Sequence, residues 1–345
     1  MNSYMYFLTI AFLLYLPFSN AFLKSTKYTP PSLYMVKRSP DIVNIIKEPS
    51  FTSRFIQKTH SFMKLIRSQN ILPTILLMNT GAWIVKPSLQ IYKSPPFFIS
   101  SLITLSIMSN SMILNDLFDM SVDKINHPER PLITGEITKR EAIISSLSLF
   151  LSSEILNLRY IPPDLQYITH YANIVITIYT PLLKRLVLIK NITCAGLVTF
   201  SVWFSGLLMN KNSNNTGLLS IASSFLFLGS LYNEILLDIR DYEGDKQNGI
   251  LTIPVLYGKS KTWKIAFCIL SMNLLSNSLF IYKLYSIRES IFFLLICSQL
   301  FMKLREIKNN EYSKNIIKMS VDDTQKQLFA VLIYICFLRT RQSIH

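Results

Sequence analysis

The residues of this sequence best suited to chemistry form two clusters of acids, each at the end of a long apolar run. The first acidic cluster consists of Asn115, Asp116, Asp119 and Asp123. The second acidic cluster consists of Glu234, Asp238, Asp241 and Asp245. At about 100° per helical residue, the first set falls within an arc of about 100° and the second within about 60°. The side chains of each cluster can therefore point at one ligand.

Clustered carboxylates at the edge of a low-dielectric region raise one another's pKa unless a cation lies among them. Hard oxygen ligands favour Mg²⁺, which typically reaches phosphates through a few carboxylates and retained waters. A single pair of aspartates at a membrane edge is as readily a solvated helix cap, and it is the second copy that favours a metal site. Gly244 is expected to break the helix before Asp245, which makes that ligand position the weakest.

The composition predicts a membrane protein. Half of the 345 residues are hydrophobic and only 16% are charged, against about a quarter in soluble domains. Uncharged stretches long enough to span a bilayer cover residues 96–114, 165–183, 192–209, 218–233 and 265–282. Weaker candidates cover residues 71–85, 142–158, 290–302 and 328–338. Together they predict an all-α, polytopic membrane bundle of about nine transmembrane helices.

The distribution of basic residues supports nine spans. With nine, the loops on one side hold 25 Lys and Arg residues and those on the other side hold 8, the asymmetry expected when basic loops stay on the insertion side. The net charge of +15 does not form one stripe with interleaved aromatics, so we expect no nucleic-acid partner. The four cysteines lie in apolar stretches without C-x-x-C spacing, which predicts buried thiols instead of disulfides or a zinc site.

The N-terminal residues predict a targeting segment. Residues 1–40 contain no Asp or Glu, and an apolar run at 4–16 is followed by small residues near Ala21 and a basic segment at 23–40. This signal plus transit-like presequence is similar to those of algae with secondary plastids, and predicts a plastid membrane. A plain signal peptide or signal anchor is the alternative. Residues 41–69 are expected to form a surface segment, and residues 70–340 the transmembrane domain.

With nine spans, the loops that carry four cations lie on the same side of the membrane as both acidic clusters. These cations are Arg130, Lys184, Arg185 and Lys190. Carboxylates that bind Mg²⁺, together with Lys and Arg, supply the charges needed to hold a diphosphate and to stabilise its departure. The apolar bundle beneath that face accommodates a long isoprenoid tail and excludes water. Arg130 alternatively braces its own loop through Glu129 or Glu136.

Three motifs occur in order along the chain. They are Asn115-Asp116-x-x-Asp119-x-x-x-Asp123 with the loop His127-Pro128-Glu129-Arg130-Pro131, then Tyr179-x-x-x-x-Lys184-Arg185, then Asp238-x-x-Asp241-x-Glu243-Gly244-Asp245. They resemble the signatures of the UbiA superfamily of intramembrane prenyltransferases over about residues 65–340. Within that superfamily, the third motif is similar to the branch of chlorophyll synthases, homogentisate prenyltransferases and archaeal ether-lipid enzymes. The loop favours the chlorophyll synthase pattern, from which Asp241 departs.

The resemblance implies a nine-helix bundle that transfers a prenyl group, geranylgeranyl, phytyl or similar, from a Mg²⁺-bound prenyl diphosphate to a lipophilic acceptor in the lipid bilayer. That acceptor is expected to be aromatic or a chlorin. The implied metal ligands are Asp116, Asp119, Asp123, Asp238, Asp241 and Asp245. The implied catalytic residues that touch the diphosphate or help it leave are Tyr179, Lys184 and Arg185. The implied substrate-binding residues are Asn115, Arg130, Lys190 and Asn191. Glu234, one turn deeper than Asp238 on the same face, is the candidate to reach the acceptor.

Two other functions were weighed against the pattern of charges. A membrane transporter or lipid-binding protein with intramembrane acids would place the acids near mid-span, without basic loops beside them. Here the acids lie at span ends next to Lys and Arg. A CDP-alcohol phosphotransferase also gathers aspartates and Mg²⁺ at a membrane face, but its denser D-G-x-x-A-R signature is absent from this sequence.

Overall fold

The computed structural model describes residues 51–209 and 216–342, and within these ranges the regular structure is helical. The α-helices are α1 Phe51–Leu65, α2 Ile71–Val85, α3 Pro95–Phe118, α4 Met120–Asn126, α5 Pro131–Thr134, α6 Lys139–Tyr160, α7 Pro163–Tyr179, α8 Ile189–Met209, α9 Thr216–Gln247, α10 Ile253–Tyr257, α11 Lys259–Leu284, α12 Ile287–Asn309 and α13 Lys314–Gln342. The predicted presequence at residues 1–40, and residues 41–50 of the predicted surface segment, lie outside the described residues. The plastid prediction therefore stays a prediction.

The compact unit that contains the bundle begins at Ser61. The predicted division into a surface segment at residues 41–69 and a transmembrane domain at residues 70–340 stays a prediction. Ser61, Leu65 and Ile66 are all buried, and the two apolar side chains join a core with Ile113 and Leu132. The last turn of α1 is part of the bundle because it covers apolar surface that would otherwise face solvent.

Among the residues that the structure describes, five helices are long and apolar enough to cross a membrane: α3, α6, α8, most of α9 and α11. The other four predicted spans coincide with α2, α7, α12 and α13. Exposed apolar side chains run along α6, among them Ile144, Leu147 and Ile155. A continuous exposed apolar face of this kind is suited to lipid and not to water. The chain is an all-helical integral membrane protein.

Two local structures define the end of the loop after α4. Thr138 and Glu141 form a capping box at the start of α6, with each side chain bonded to the other's backbone N–H. Gly135 has φ +78°, the left-handed conformation that ends α5. The capping box therefore fixes the C-terminal end of the loop that carries Arg130.

Two expectations about the acidic helices differ from the structure. The helix of the second acidic cluster does not break at Gly244, because one glycine costs only about 1 kcal/mol in a long helix. It runs to Gln247, and Asn248 then caps the carbonyl of Gly244. The helix of the first cluster is interrupted between α3 and α4 at Asp119, whose ψ is 7°. The backbone N–H of Asp119 still donates to Asn115, so the shared face is largely preserved.

Helices α2 and α8 pack at very short range through small residues. A Cβ placed on Gly81 would lie 1.9 Å from the carbonyl oxygen of Val202. The hydroxyl of Ser205 donates to the carbonyl of Met78 at 2.8 Å. Small residues let helix backbones approach inside a membrane, where dispersion and interhelical hydrogen bonds drive association. This contact fixes α8, the helix whose first turn reaches the second acidic cluster.

Replacing Gly81 therefore separates α2 from α8. We expect Gly81→Ala to lower the free energy of unfolding by about 1–3 kcal/mol, because the added methyl group overpacks the contact. Gly196→Ala on α8 is the matched control, since nothing lies within 4 Å of its Cβ. Thermal unfolding in detergent should show a lower midpoint for the first variant and an unchanged or higher one for the second. Equal midpoints would show that the contact does not support the bundle.

Candidate active site

The carboxylates of Asp116 and Asp123 pair with two arginines. One arginine precedes helix α3 in the sequence and the other follows it. Arg67, just before α2, donates to Asp116 Oδ1 at 2.9 Å. Arg130, from the loop after α4, donates to the same oxygen at 3.1 Å and also pairs with Asp123. Both carboxylates are buried. Burial raises the pKa of Asp123 above its ordinary value, and the Arg130 guanidinium opposes that shift.

Asp119, between α3 and α4, faces a different cation. Its carboxylate pairs with the Lys184 ammonium, which also donates to Asn115 Oδ1 at 3.4 Å. Lys184 lies in the short 3₁₀ turn Leu183–Arg185 that follows α7. That turn therefore connects the end of α7 directly to the first acidic cluster.

The second acidic cluster receives its cation from the first turn of α8. Lys190 pairs with Asp238 Oδ1 at 2.7 Å, and the Asn191 amide donates to Oδ2 at 3.0 Å. Asn191 is fully buried, and its Oδ1 has no hydrogen-bond partner among the described residues. Asp245, two turns further along α9, lies within electrostatic range of both Lys190 and Asp238. Asp241 is more exposed and pairs with its neighbour Arg240 at 2.7 Å.

Tyr179 and Cys194 connect the two clusters. The Tyr179 hydroxyl lies 3.0 Å from the Cys194 thiol. Tyr179 is within electrostatic range of Glu234 and also of Asp119, one member of each cluster. Cys194 is within range of Glu234, Lys184 and Lys190. Residues far apart in the sequence thus meet at one end of the bundle, where α3, α7 and α9 end and α8 begins.

The two predicted site arginines, Arg130 and Arg185, differ in their contacts. Arg130 does not brace its loop, because Glu129 contacts His127 at 3.4 Å instead. Glu136 is bonded to Ser61, which leaves Arg130 to the buried aspartates. Arg185 is exposed and makes no ion pair with the described residues. The prediction that Arg130 touches the charged site is consistent with this geometry, while a role for Arg185 is not visible in it.

Glu154 and His170, to which the sequence assigned no role, lie apart from the acidic clusters. They pair with each other at 2.5 Å between α6 and α7, and the Asn173 amide donates to Glu154 at 2.6 Å. Asn173 and Ser153 are buried beside them and joined at 2.9 Å. This pairing reduces the cost of placing polar groups between membrane helices.

Arg67 is a site residue that the sequence reasoning missed. It was counted among the cations of a surface segment, whereas its side chain is only 30% exposed and reaches Asp116. Its backbone adopts φ +50°, an uncommon left-handed conformation that turns the chain between α1 and α2. A basic residue four positions before the first predicted span was the available signal.

The donor chemistry of the clusters fits Mg²⁺, because carboxylate and amide oxygens are hard ligands. The buried Asn191 Oδ1 beside Asp238 is an oxygen that a cation would satisfy. Within the described residues, however, no three His, Cys, Asp or Glu side chains stand close enough together to hold a metal ion. The carboxylates therefore do not converge on one point in this structure. They contact cationic side chains instead, and a bound metal would have to displace those cations.

Comparison with known proteins supplies a family and a fold. The sequence profile of the UbiA prenyltransferase family matches residues 71–330. The digeranylgeranylglyceryl phosphate synthase of Sulfolobus acidocaldarius is 31% identical over 221 residues, which are 64% of this chain and 77% of the relative. A solved structure of a digeranylgeranylglyceryl phosphate synthase superposes with a TM-score of 0.69 at 22% identity, over 83% of this chain and 99% of that one. A UbiA homologue from Archaeoglobus fulgidus, bound to GPP and Mg²⁺, gives 0.62 at 20% identity, over 81% and 99%.

These relatives correct the predicted branch. They are named as synthases of digeranylgeranylglyceryl phosphate, so the preference for chlorophyll synthases and homogentisate prenyltransferases is wrong. That preference came from the loop at residues 127–131. In the structure this loop delivers Arg130 to the aspartates of the first acidic cluster. The loop sequence therefore reflects the pairing of Arg130 with the buried aspartates. It does not indicate which acceptor is used.

Removing Arg130 is expected to cost more stability than removing an exposed arginine. Arg130→Met leaves the buried Asp123 carboxylate without its partner, which typically costs about 3–5 kcal/mol. Arg240→Met is the control, because the Arg240–Asp241 pair is far more exposed and such pairs contribute about 0–1 kcal/mol. Denaturant unfolding of the purified proteins measures both losses. Adding Asp123→Asn to Arg130→Met should recover part of the loss, and no recovery would contradict the assigned pairing.

Proposed function

The chain belongs to the UbiA prenyltransferase family, and from that premise we propose that it transfers a geranylgeranyl-type group to a phosphate-bearing prenylglyceryl lipid. The enzyme class and the membrane location follow from the family. The acceptor is proposed from the relatives, whose named product contains two geranylgeranyl groups on a glyceryl phosphate. Forming such a product by prenyl transfer requires an acceptor that already carries one prenyl chain and the phosphate. The donor would be the matching prenyl diphosphate.

The observation that carries the proposal is the meeting of both acidic clusters around Tyr179. A diphosphate needs cations on its oxygens, and Lys184, Lys190 and Arg130 already lie beside the acids. We assign Asp116, Asp119 and Asp123 to one Mg²⁺ site and Asp238, Asp241 and Asp245 to the other. When bound, Mg²⁺ would neutralise the charge that grows on the departing diphosphate.

Substrate binding would exchange ion-pair partners. In the present arrangement each buried carboxylate neutralises a lysine or arginine. With a metal diphosphate in place, the same cations can contact phosphate oxygens while the carboxylates face the metal. The exchange keeps every buried charge compensated, which matters because an uncompensated charge in a low-dielectric site is costly. Arg185, the exposed neighbour of Lys184, is assigned to the outer part of the diphosphate.

Tyr179 and Glu234 lie on the inner side of the charged face. Glu234 is one turn deeper than Asp238 on α9, and its charge reaches both Tyr179 and Cys194. Joining a prenyl carbon to an acceptor hydroxyl breaks the O–H bond, so a base must take the proton. We assign that role to Glu234. Each cluster also has an amide side chain. Asn115 accepts a hydrogen bond from Lys184, and Asn191 donates one to Asp238.

Two finer expectations stay proposals. We propose nine membrane spans, supported by the asymmetry of 25 to 8 basic residues and by a helix at each predicted span. We propose plastid delivery only on the basic, acid-free composition of residues 1–40, which lie outside the described residues.

An acceptor panel tests the proposed reaction. Purified protein, Mg²⁺ and geranylgeranyl diphosphate are incubated with a geranylgeranylglyceryl phosphate, its dephosphorylated analogue, and an aromatic acceptor. We expect the phosphate form to be prenylated at least about 10-fold faster than the analogue, because a site built around a polar group rejects a substrate that lacks it. Faster transfer to the aromatic acceptor would refute the proposed acceptor and leave the prenyltransferase assignment intact.

The acidic clusters should both be required. Asp119→Asn and Asp238→Asn are each expected to lower kcat at least about 100-fold, since each removes electrostatic stabilisation at the site of charge development. Asp164→Asn is the control, because this exposed acid begins α7 at the other end of the bundle. Product formation is measured over a Mg²⁺ titration, with thermal unfolding to verify folding.

Either aspartate variant with wild-type kcat would remove that cluster from the mechanism. In the same assay Glu234→Gln should lower kcat while keeping the wild-type Mg²⁺ requirement, because a base acts on the acceptor and not on the metal. A changed Mg²⁺ requirement in Glu234→Gln would place this residue with the metal ligands instead.

A further inference from the structure

An apolar groove of about 520 Å³ lies between α3 and α6, with Thr177 of α7 also lining it and with no residue of either acidic cluster in its lining. Its size falls within the range of about 300–1,000 Å³ that is typical of ligand pockets. Leu114, Leu117 and Phe118 form one wall and Ile143 and Leu147 the other. Phe118 and Leu147 are more than half exposed, so the groove opens outward from the bundle.

The groove and the first acidic cluster use opposite faces of α3. At about 100° per residue, Leu114 and Leu117 each point about 150° away from the middle of the arc that holds the first acidic cluster. Asp116 is buried against Arg67 and Arg130, whereas the groove side of α3 faces α6. The groove is therefore a separate surface and not an extension of the diphosphate site.

The groove has a charged mouth and a polar floor. Lys139, the first residue of α6, lines it, and Arg140 follows; both are exposed and make no ion pair with the described residues. At the floor, the Ser146 hydroxyl donates to Asn110 Oδ1 at 2.6 Å, so the polar groups there are partnered internally. The free charge of the groove is thus positive and is confined to the end where the loops lie.

We propose that this groove binds an anionic phospholipid of the surrounding bilayer, with one acyl chain between α3 and α6 and the headgroup phosphate at Lys139. The apolar walls open where α6 presents exposed Ile144 and Leu151, which are suited to lipid. The positive mouth selects an anionic over a zwitterionic headgroup, because cationic side chains at a membrane surface attract anionic lipids. The inference is independent of the acceptor proposed above.

The position of the groove gives the lipid a structural consequence. It would bridge α3, which carries the first acidic cluster, and the start of α6, which holds the loop that delivers Arg130. A lipid bound there would stabilise the arrangement of that loop against α3.

The test uses the full chain purified in detergent and titrated with phosphatidylglycerol or phosphatidylcholine, with bound lipid counted by native mass spectrometry and thermal unfolding measured in parallel. We expect phosphatidylglycerol to be retained and to raise the unfolding midpoint, and phosphatidylcholine to do neither. Lys139→Gln should weaken retention at least about five-fold, an electrostatic effect that added salt reproduces in the wild type. Leu147→Trp should abolish retention by filling the groove.

Matched controls lie on the same helix. Arg159→Gln removes a cation at the other end of α6, and Ile155→Trp adds an indole to its exposed face outside the groove. Both should retain phosphatidylglycerol like the wild type. Lipid-free unfolding midpoints establish that each variant is folded; if Leu147→Trp is not, Ile143→Phe replaces it.

Three results would overturn the proposal. One is equal retention by Lys139→Gln and the wild type. Another is displacement of phosphatidylglycerol by a stoichiometric amount of geranylgeranylglyceryl phosphate or prenyl diphosphate, which would assign the groove to a substrate. The third is a dimer that Leu147→Trp dissociates, which would show that a second copy of the chain covers the groove.

Discussion

Compensation of buried negative charge is the constraint on which this structure depends. Carboxylates at the end of apolar helices are stable only beside cations, because desolvation costs several kcal/mol per unpaired ion. In the first acidic cluster, each cation comes from a different connecting segment: Arg67 from the turn before α2, Arg130 from the loop after α4, and Lys184 from the turn after α7. The ion pairs therefore also determine where these segments lie, and the charged site and the packing of its loops are one feature.

The sequence predicted the parts that depend on periodicity and on local chemistry. The helix at residues 71–85 and the capping box at Thr138 follow from patterns within a few residues, and the structure contains both. What it missed depends on contacts over long sequence separations. Arg67 reaches Asp116 across 49 positions, and its place just before the first predicted span does not specify this partner. Gly244 does not end its helix, because its low intrinsic propensity is weak beside the support of a 32-residue helix.

The charged residues predicted the reaction class more reliably than the acceptor, and the structure explains the difference. Donor chemistry needs carboxylates and cations, whose types and spacing are distinctive in an apolar sequence. Inside the bundle, residues such as Phe204 and Ile107 form an ordinary apolar cluster. Many apolar side chains of similar volume satisfy such packing. The pattern of charged residues is therefore more distinctive in the sequence than the apolar packing inside the bundle.

Helix α3 illustrates how one element serves two environments. Its inner face must keep Asp116 paired and dry, while its outer face, at Leu114 and Phe118, borders the apolar groove. The interruption at Asp119 lies where these demands meet, and there the backbone departs from helical dihedrals while retaining its hydrogen bond to Asn115. A straight continuation into α4 would carry Asp119 and Asp123 along one helix axis. The bend instead lets Asp119 face Lys184 while Asp123 faces Arg130, so that two cations from distant segments neutralise acids only four residues apart.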